Sequence, residues 1–149
     1  MCSIIGYRGK NSAAPILVNG LQRMEYRGYD SVGVATKSKN QILLRKGIGK
    51  VVEVNNSVQL DELPGNIGIG HTRWATHGKV TEDNAHPHKS NSGKIAIVHN
   101  GIIENHEELK ANLQKKGFDF HSETDTEVIA NLIQLNFDEI PDVKQAIIK

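Results

Sequence analysis

One cysteine occurs in the chain, and it stands at position 2. A lone cysteine is usually a small buried apolar residue. Position 2 changes that reading, because initiator methionine is commonly removed when a small residue follows. Loss of Met1 would leave Cys2 with a free α-amine of pKa about 7.7–8.0, partly unprotonated near neutral pH. The amine lies a few bonds from the thiol and can take its proton directly or through one water, so an N-terminal cysteine carries its own general base. Other residues suggest what such a nucleophile would attack. Arg73, Thr76 and His77 follow a strand-like apolar run and leave its end together. An arginine fork there suits a carboxylate. Asn100-Gly101 ends a second such run, and an amide side chain beside a backbone N–H suits an oxyanion. Asp125, at a helix start, is placed to pair with an ammonium group. Taken singly, these residues read as a surface ion pair, a turn and a helix cap. Together they suit a zwitterionic amino acid that carries a carbonyl to be attacked.

The seven histidines offer a competing chemistry. His71, His77, His86, His88 and His99 lie on or beside the same runs, and His86-Pro87-His88 brings two imidazoles into one short segment. Metal ligation needs converging nitrogens. There is no HExxH and no helical His-x-x-x-His, so hydrogen-bonding roles are favoured and no metal or cofactor is expected. Gly47 and Gly49 lack the third glycine and the Lys-Ser/Thr of a phosphate loop, so nucleotide binding is not supported.

The elements that must hold these groups follow from periodicity. Ser3 to Tyr7 reads as a short buried strand. Ser12 caps a helix with Ile16, Leu17, Leu21 and Met24 at helical spacing, and Gly28 breaks it. Ser31 to Thr36 and Gln41 to Lys46 read as strands, with a turn at Gly47 and Gly49; the stretch to Leu63 suggests a helix before a Pro64-Gly65 turn. Ile67 to Thr72 and Lys94 to His99 are the best candidates for central strands. Between them, Ala75 to Gly93 is a loop long enough to be functional or disordered. Asn105 and Glu108 form the pattern of a capping box before a helix that Gly117 stops. Thr124 or Asp125 caps a further helix to about Leu135. Asp142 to Lys149 reads as the start of another helix, as though the chain ended in mid-element. Strands and helices in this order indicate a mixed α/β chain forming one domain over residues 1–149.

Bulk properties narrow the field. The net charge of +1, with no basic or acidic block, gives no footprint for nucleic acid and no polybasic membrane patch. Apolar runs are too short to span a membrane, and the N-terminus lacks the pattern of a signal peptide. One cysteine allows no intramolecular disulfide and fits a reducing compartment, so a soluble cytoplasmic protein is expected.

Six stretches, in order, make the chain resemble a known family: Cys2, Glu25 to Ser31 (EYRGYDS), His71 to Gly78 (HTRWATHG), Asn84 to His88 (NAHPH), Val98 to Asn105 (VHNGIIEN) and Ser122 to Glu127 (SETDTE). The set is similar to the glutaminase (class II glutamine amidotransferase) domain of glutamine–fructose-6-phosphate aminotransferases. The EYRGYDS and WATHG combinations distinguish it from amidophosphoribosyltransferases, asparagine synthetases and glutamate synthases. The resemblance implies an α+β fold, the N-terminal-nucleophile αββα sandwich of antiparallel sheets. It implies that Cys2 attacks the carboxamide of L-glutamine, and that Asn100 and the Gly101 N–H hold the oxyanion. Arg73, with Thr76 and His77, would bind the substrate carboxylate and Asp125 its ammonium. Arg27 would lie near the nucleophile, and Trp74 would gate ammonia. A sugar-isomerase domain carrying the fructose 6-phosphate acceptor is the implied partner, and a homodimer is compatible with the resemblance. The family domain is longer than this chain, so the second sheet is expected to be incomplete at the C-terminal end. Two alternatives remain: a non-catalytic module that binds glutamine or a partner, and a metal-dependent hydrolase built on His71, His86 and His88.

Overall fold

A computed structural model describes residues 1–74 and 79–149. Its first layer is a four-stranded antiparallel sheet in the order β1-β4-β2-β3, formed by β1 (Ser3–Arg8), β2 (Ser31–Ser38), β3 (Gln41–Ile48) and β4 (Ile67–Arg73). Helix α1 (Ala13–Met24) presents Ala13, Ala14, Leu17, Val18 and Leu21 to one face of this sheet. There they meet Val32 and Val34 of β2, with Val51 and Val54 of α2 (Val51–Val58) and with Leu60 and Leu63. The 3.6-residue period of α1 and the two-residue period of β2 thus expose complementary apolar stripes, and burying them is the main driving force for this layer. The expected cap on α1 is absent: Ser12 makes no side-chain bond to the helix, and the Ala13 N–H donates instead to the Gly65 carbonyl at 2.8 Å. The Pro64-Gly65 turn therefore satisfies the helix end that the local sequence assigned to Ser12.

A second layer packs on the opposite face. It consists of a two-stranded antiparallel ladder, β5 (His88–Lys89) with β6 (Ala96–Ile97), backed by α4 (Asp125–Glu139), α3 (His106–Lys115) and α5 (Val143–Ile148). The run Lys94 to His99, expected as a central strand, pairs only over Ala96–Ile97. Among the described residues its single strand partner is the two-residue β5, and a ladder extends no further than its partner. Helix α4 runs four residues past the expected end at Leu135. Two of its buried side chains reach across: Asn131 Oδ1 accepts the Asn91 N–H at 2.9 Å and Gln134 Oε1 accepts the Ser92 N–H at 2.8 Å, which fastens the β5–β6 turn to the helix. The predicted capping box of α3 does not form. Asn105 lies at φ −96°, ψ 22°, outside the extended region an N-cap adopts, and the His106 N–H donates to the Ile103 carbonyl. The C-terminal stop is as expected: Gly117 sits at φ +88°, with the Phe118 N–H on the Leu113 carbonyl and the Gly117 N–H on that of Gln114.

The two layers are joined along residues 83–90. The Lys46 ammonium, on β3, donates to the carbonyls of Asp83 (3.0 Å) and Ala85 (2.7 Å), and Lys89 donates to Ile42. Gly33 makes the crossing possible. A Cβ there would lie 2.3 Å from the His86 carbonyl oxygen, so the segment rests directly on bare backbone of β2. The long loop expected from composition is thus, over 84–88, the buried seam of the molecule.

Candidate active site

Sheet register decides which side chains meet at this seam. Ser3 pairs with Thr72 across β1 and β4, and Ser3 Oγ bonds to the Met24 carbonyl on the α1 side. Side chains alternate along a strand, so Cys2, one residue earlier, projects to the other face together with His71 and Arg73. The Cys2 Sγ sits against the backbone of Trp74, whose N–H donates to it at 3.3 Å. His71 pairs with Gly33 across β4 and β2, so its ring emerges where the 83–90 segment crosses.

Between the layers lies a cleft of about 410 Å³, within the range of roughly 300–1,000 Å³ usual for small-molecule sites. Seven of the nine residues singled out from sequence line it: Cys2, Arg27, Arg73, Trp74, Asn100, Gly101 and Asp125. The other two, Thr76 and His77, lie outside the described residues. Arg73, buried at the end of β4, donates through Nη1 to the Lys79 carbonyl at 3.2 Å, which steadies the guanidinium. Asp125 opens α4, and its Oδ2 accepts the Ile103 N–H at 2.8 Å, tying the helix start to the loop that carries Asn100 and Gly101. An acidic and a basic side chain thus reach the cleft from opposite layers. Arg27 lies beside the N-terminus: the Met1 ammonium donates to the Arg27 carbonyl at 2.6 Å, and the Arg27 Nη2 reaches the Met1 Sδ. With Met1 in place the Cys2 nitrogen is an amide and cannot act as a base.

The histidines form a second constellation. The His71 and His86 rings stack with centroids 4.3 Å apart, and His88 meets His86 edge-on at 4.6 Å. His71 Nε2 lies 2.8 Å from Asn100 Oδ1, and His88 Nε2 lies 3.0 Å from Thr124 Oγ1. Stacked rings turn their faces to one another, and two of the outer nitrogens are committed to hydrogen bonds. This geometry does not support the metal-hydrolase alternative, and among the described residues no group of three acidic, histidine or cysteine side chains is placed to hold an ion. Burial holds all three imidazoles neutral: it takes His71 down to about 4 and His88 to about 3, and pushes His86 far below the ordinary histidine range.

Two further residues, each within a motif that carried the resemblance, were given no role from sequence. Asn84, buried, accepts the Glu123 N–H at 2.9 Å and donates to the Lys79 carbonyl, linking the segment around Arg73 to the approach of α4. Glu127, also buried, accepts the N–H groups of His121 and Ser122 and the Ser122 hydroxyl. The Thr124-x-x-Glu127 spacing, a capping-box signature, was the available signal for Glu127.

The sequence profile described as "Glutamine amidotransferase domain" matches residues 56–140. The chain belongs to this family. Among curated relatives, it is 58% identical over 136 residues to the glutamine–fructose-6-phosphate aminotransferase (isomerizing) of Pyrococcus horikoshii, covering 91% of this chain and 23% of that protein. It is 55% identical over 145 residues to the enzyme of the same name from Methanococcus maripaludis, covering 97% and 24%. The chain therefore spans about a quarter of the length of these relatives. Two solved structures share the fold. The glutamine phosphoribosylpyrophosphate amidotransferase of B. subtilis superposes with a TM-score of 0.80 at 30% identity, covering 99% of this chain and 31% of that one. A structure titled as the allosteric regulatory enzyme of purine biosynthesis gives 0.82 at 31%, covering 99% and 32%. The amidotransferase domain thus has the α+β, N-terminal-nucleophile architecture, with antiparallel sheets between helical layers, that the motifs implied. No helix among the described residues is long and apolar enough to cross a membrane.

Proposed function

We propose that this amidotransferase domain hydrolyses L-glutamine to glutamate and ammonia through a glutamyl thioester on Cys2. The observation that carries the reading is the convergence of the Cys2 thiol, Asn100, Arg73 and Asp125 on one cleft. The Arg73 guanidinium binds the α-carboxylate of glutamine and Asp125 its α-ammonium, with Thr76 and His77 assisting Arg73. These contacts set the side-chain carboxamide against Cys2. Once Met1 is removed, the Cys2 α-amine takes the thiol proton as Sγ bonds to the carboxamide carbon. The oxyanion that forms is held by the Asn100 amide and the Gly101 N–H. Collapse breaks the C–N bond, the protonated α-amine gives its proton to the departing nitrogen, and ammonia leaves. Water, deprotonated by the same amine, then attacks the thioester. The C–S bond breaks, Sγ regains a proton, and glutamate is released.

In a longer protein of the relatives' kind, the ammonia passes by Trp74 to a sugar-isomerase domain, where fructose 6-phosphate becomes glucosamine 6-phosphate. A cytoplasmic setting suits this metabolism and the single free thiol. The test is covalent labelling with a glutamine-mimicking electrophile, alongside an assay of glutamate release. Chain beginning at Cys2 is expected to take up one label at that residue. Labelling that survives Cys2→Ala, or equal activity with Met1 retained, sinks the reading. Glutamine binding without any glutamate release by the chain that begins at Cys2 would favour the non-catalytic module instead.

A further inference from the structure

We propose that His71 is a positioning residue for the oxyanion hole: its Nε2–H fixes the Asn100 carboxamide so that the amide NH₂, and not the oxygen, faces Cys2. The inference rests on the glutaminase reading and deepens it. A carboxamide has two nearly isosteric orientations. In one its NH₂ donates to the developing oxyanion; in the other a carbonyl lone pair faces that charge and repels it. Something outside the amide must choose, because Asn100 itself is solvent-exposed. The structure supplies the choice at His71, whose Nε2 lies 2.8 Å from Asn100 Oδ1.

The direction of that bond follows from the chemistry of its atoms. An amide oxygen only accepts, so Nε2 must carry the proton. The other ring nitrogen, Nδ1, is buried with no hydrogen-bond partner among the described residues. A proton moved to Nδ1 would leave a buried N–H without an acceptor and set two lone pairs against each other at 2.8 Å. The ring is also held against rotation. It is 1% exposed and projects from the middle of the sheet opposite Gly33, with His86 stacked at an interplanar angle of 16°. His88 abuts His86 and bonds to Thr124, beside Asp125. The histidine stack is thus a rigid backing for the oxyanion donor, and burial keeps its imidazoles neutral.

Three measurements test this on the chain that begins at Cys2. In His71→Phe, kcat for glutamine hydrolysis is expected to fall roughly tenfold to a hundredfold, approaching the loss of an oxyanion donor, with KM nearly unchanged. His71→Gln, which restores an N–H donor, is expected to recover most of that loss. Adding His71→Phe to Asn100→Ala is expected to leave kcat where Asn100→Ala alone puts it. A purely structural role would instead cost kcat again in the double variant, and that result, or an unchanged kcat in His71→Phe, overturns the proposal. Should His71→Phe fail to fold, ¹⁵N spectra of histidine-labelled unaltered chain still decide. A neutral ring protonated on Nε2 near neutral pH supports the assignment, and a proton on Nδ1 refutes it. Failure of the glutaminase reading shows separately, as an unaltered chain that neither labels at Cys2 nor releases glutamate.

Discussion

Replacing Asn100 separates two quantities that the structure joins in one side chain. Its NH₂ is assigned to the oxyanion, while its Oδ1 accepts from the buried His71 imidazole at 2.8 Å. Asn100→Ala removes both. Loss of one oxyanion donor is worth about 2.7–4 kcal/mol of transition-state stabilisation, a fall of roughly 10²–10³ in kcat. The same change strands the His71 N–H in a nearly solvent-free position, which costs about 1–3 kcal/mol of folding stability. For a chain of this size each kcal/mol lowers Tm by roughly 2–4 °C, so a drop of several degrees is expected. Asn100→Asp keeps an oxygen acceptor for His71 but turns a negative oxygen toward the oxyanion. It should hold Tm near that of the unaltered chain while abolishing turnover. The assay is paired: kcat and KM for glutamate release, and thermal unfolding of the same samples near neutral pH. An Asn100→Ala chain that turns over at the original rate would remove Asn100 from the chemistry. An Asn100→Asp chain as unstable as Asn100→Ala would remove the His71 bond from the stability argument.

Two further expectations concern the seam beneath the cleft. His71 and His88 are held down at about 4 and about 3 against 6.5 in an unfolded chain, and His86 is lowered further still. Between these limits the unfolded state binds more protons than the folded one, so stability falls as pH drops. The loss begins near pH 6.5 and continues through the folded values, with a limiting slope of about 1.4 kcal/mol per pH unit for each histidine. A thermal midpoint that stays level from pH 7 to pH 5 would contradict the neutral stack. Gly33→Ala sets a methyl 2.3 Å from the His86 carbonyl oxygen and 2.7 Å from the Lys46 Cβ. Backbone must move to admit it, so a loss of about 1–3 kcal/mol is expected in denaturant unfolding, together with weaker glutamine turnover as the stack shifts. Unchanged stability would mean that the crossing is looser than described.

Local sequence accounted for much of the scaffold. The strands at Ser3–Arg8, Ser31–Ser38, Gln41–Ile48 and Ile67–Arg73 and the helices α1 and α4 lie where periodicity placed them, because each has a face that must be buried. The Gly117 stop was legible because a positive φ and two short-range bonds complete it within one turn. Expectations that depended on a distant partner fared less well. Ser12 and Asn105 carry the right side chains for caps, yet Gly65 and Ile103 supply carbonyls that satisfy Ala13 and His106 instead. The run at Lys94–His99 is apolar enough for a strand, but the ladder stops where β5 stops.

The same division runs through the site. Residue type and order alone supplied a candidate nucleophile at position 2, the amide-glycine pair and the charges suited to an amino acid, since these are properties of individual side chains. For the histidines, sequence favoured hydrogen-bonding roles and kept metal ligation by His71, His86 and His88 as an alternative. Only the packed structure decided that His71 and His86 stack, that His88 meets His86 edge-on, and that His71 and His88 bond to Asn100 and Thr124. That outcome required the 83–90 segment to rest on the bare backbone of Gly33 and the Asn100 loop to reach His71 of β4, and orientation at such a junction is set by contacts between residues 15 to 53 positions apart.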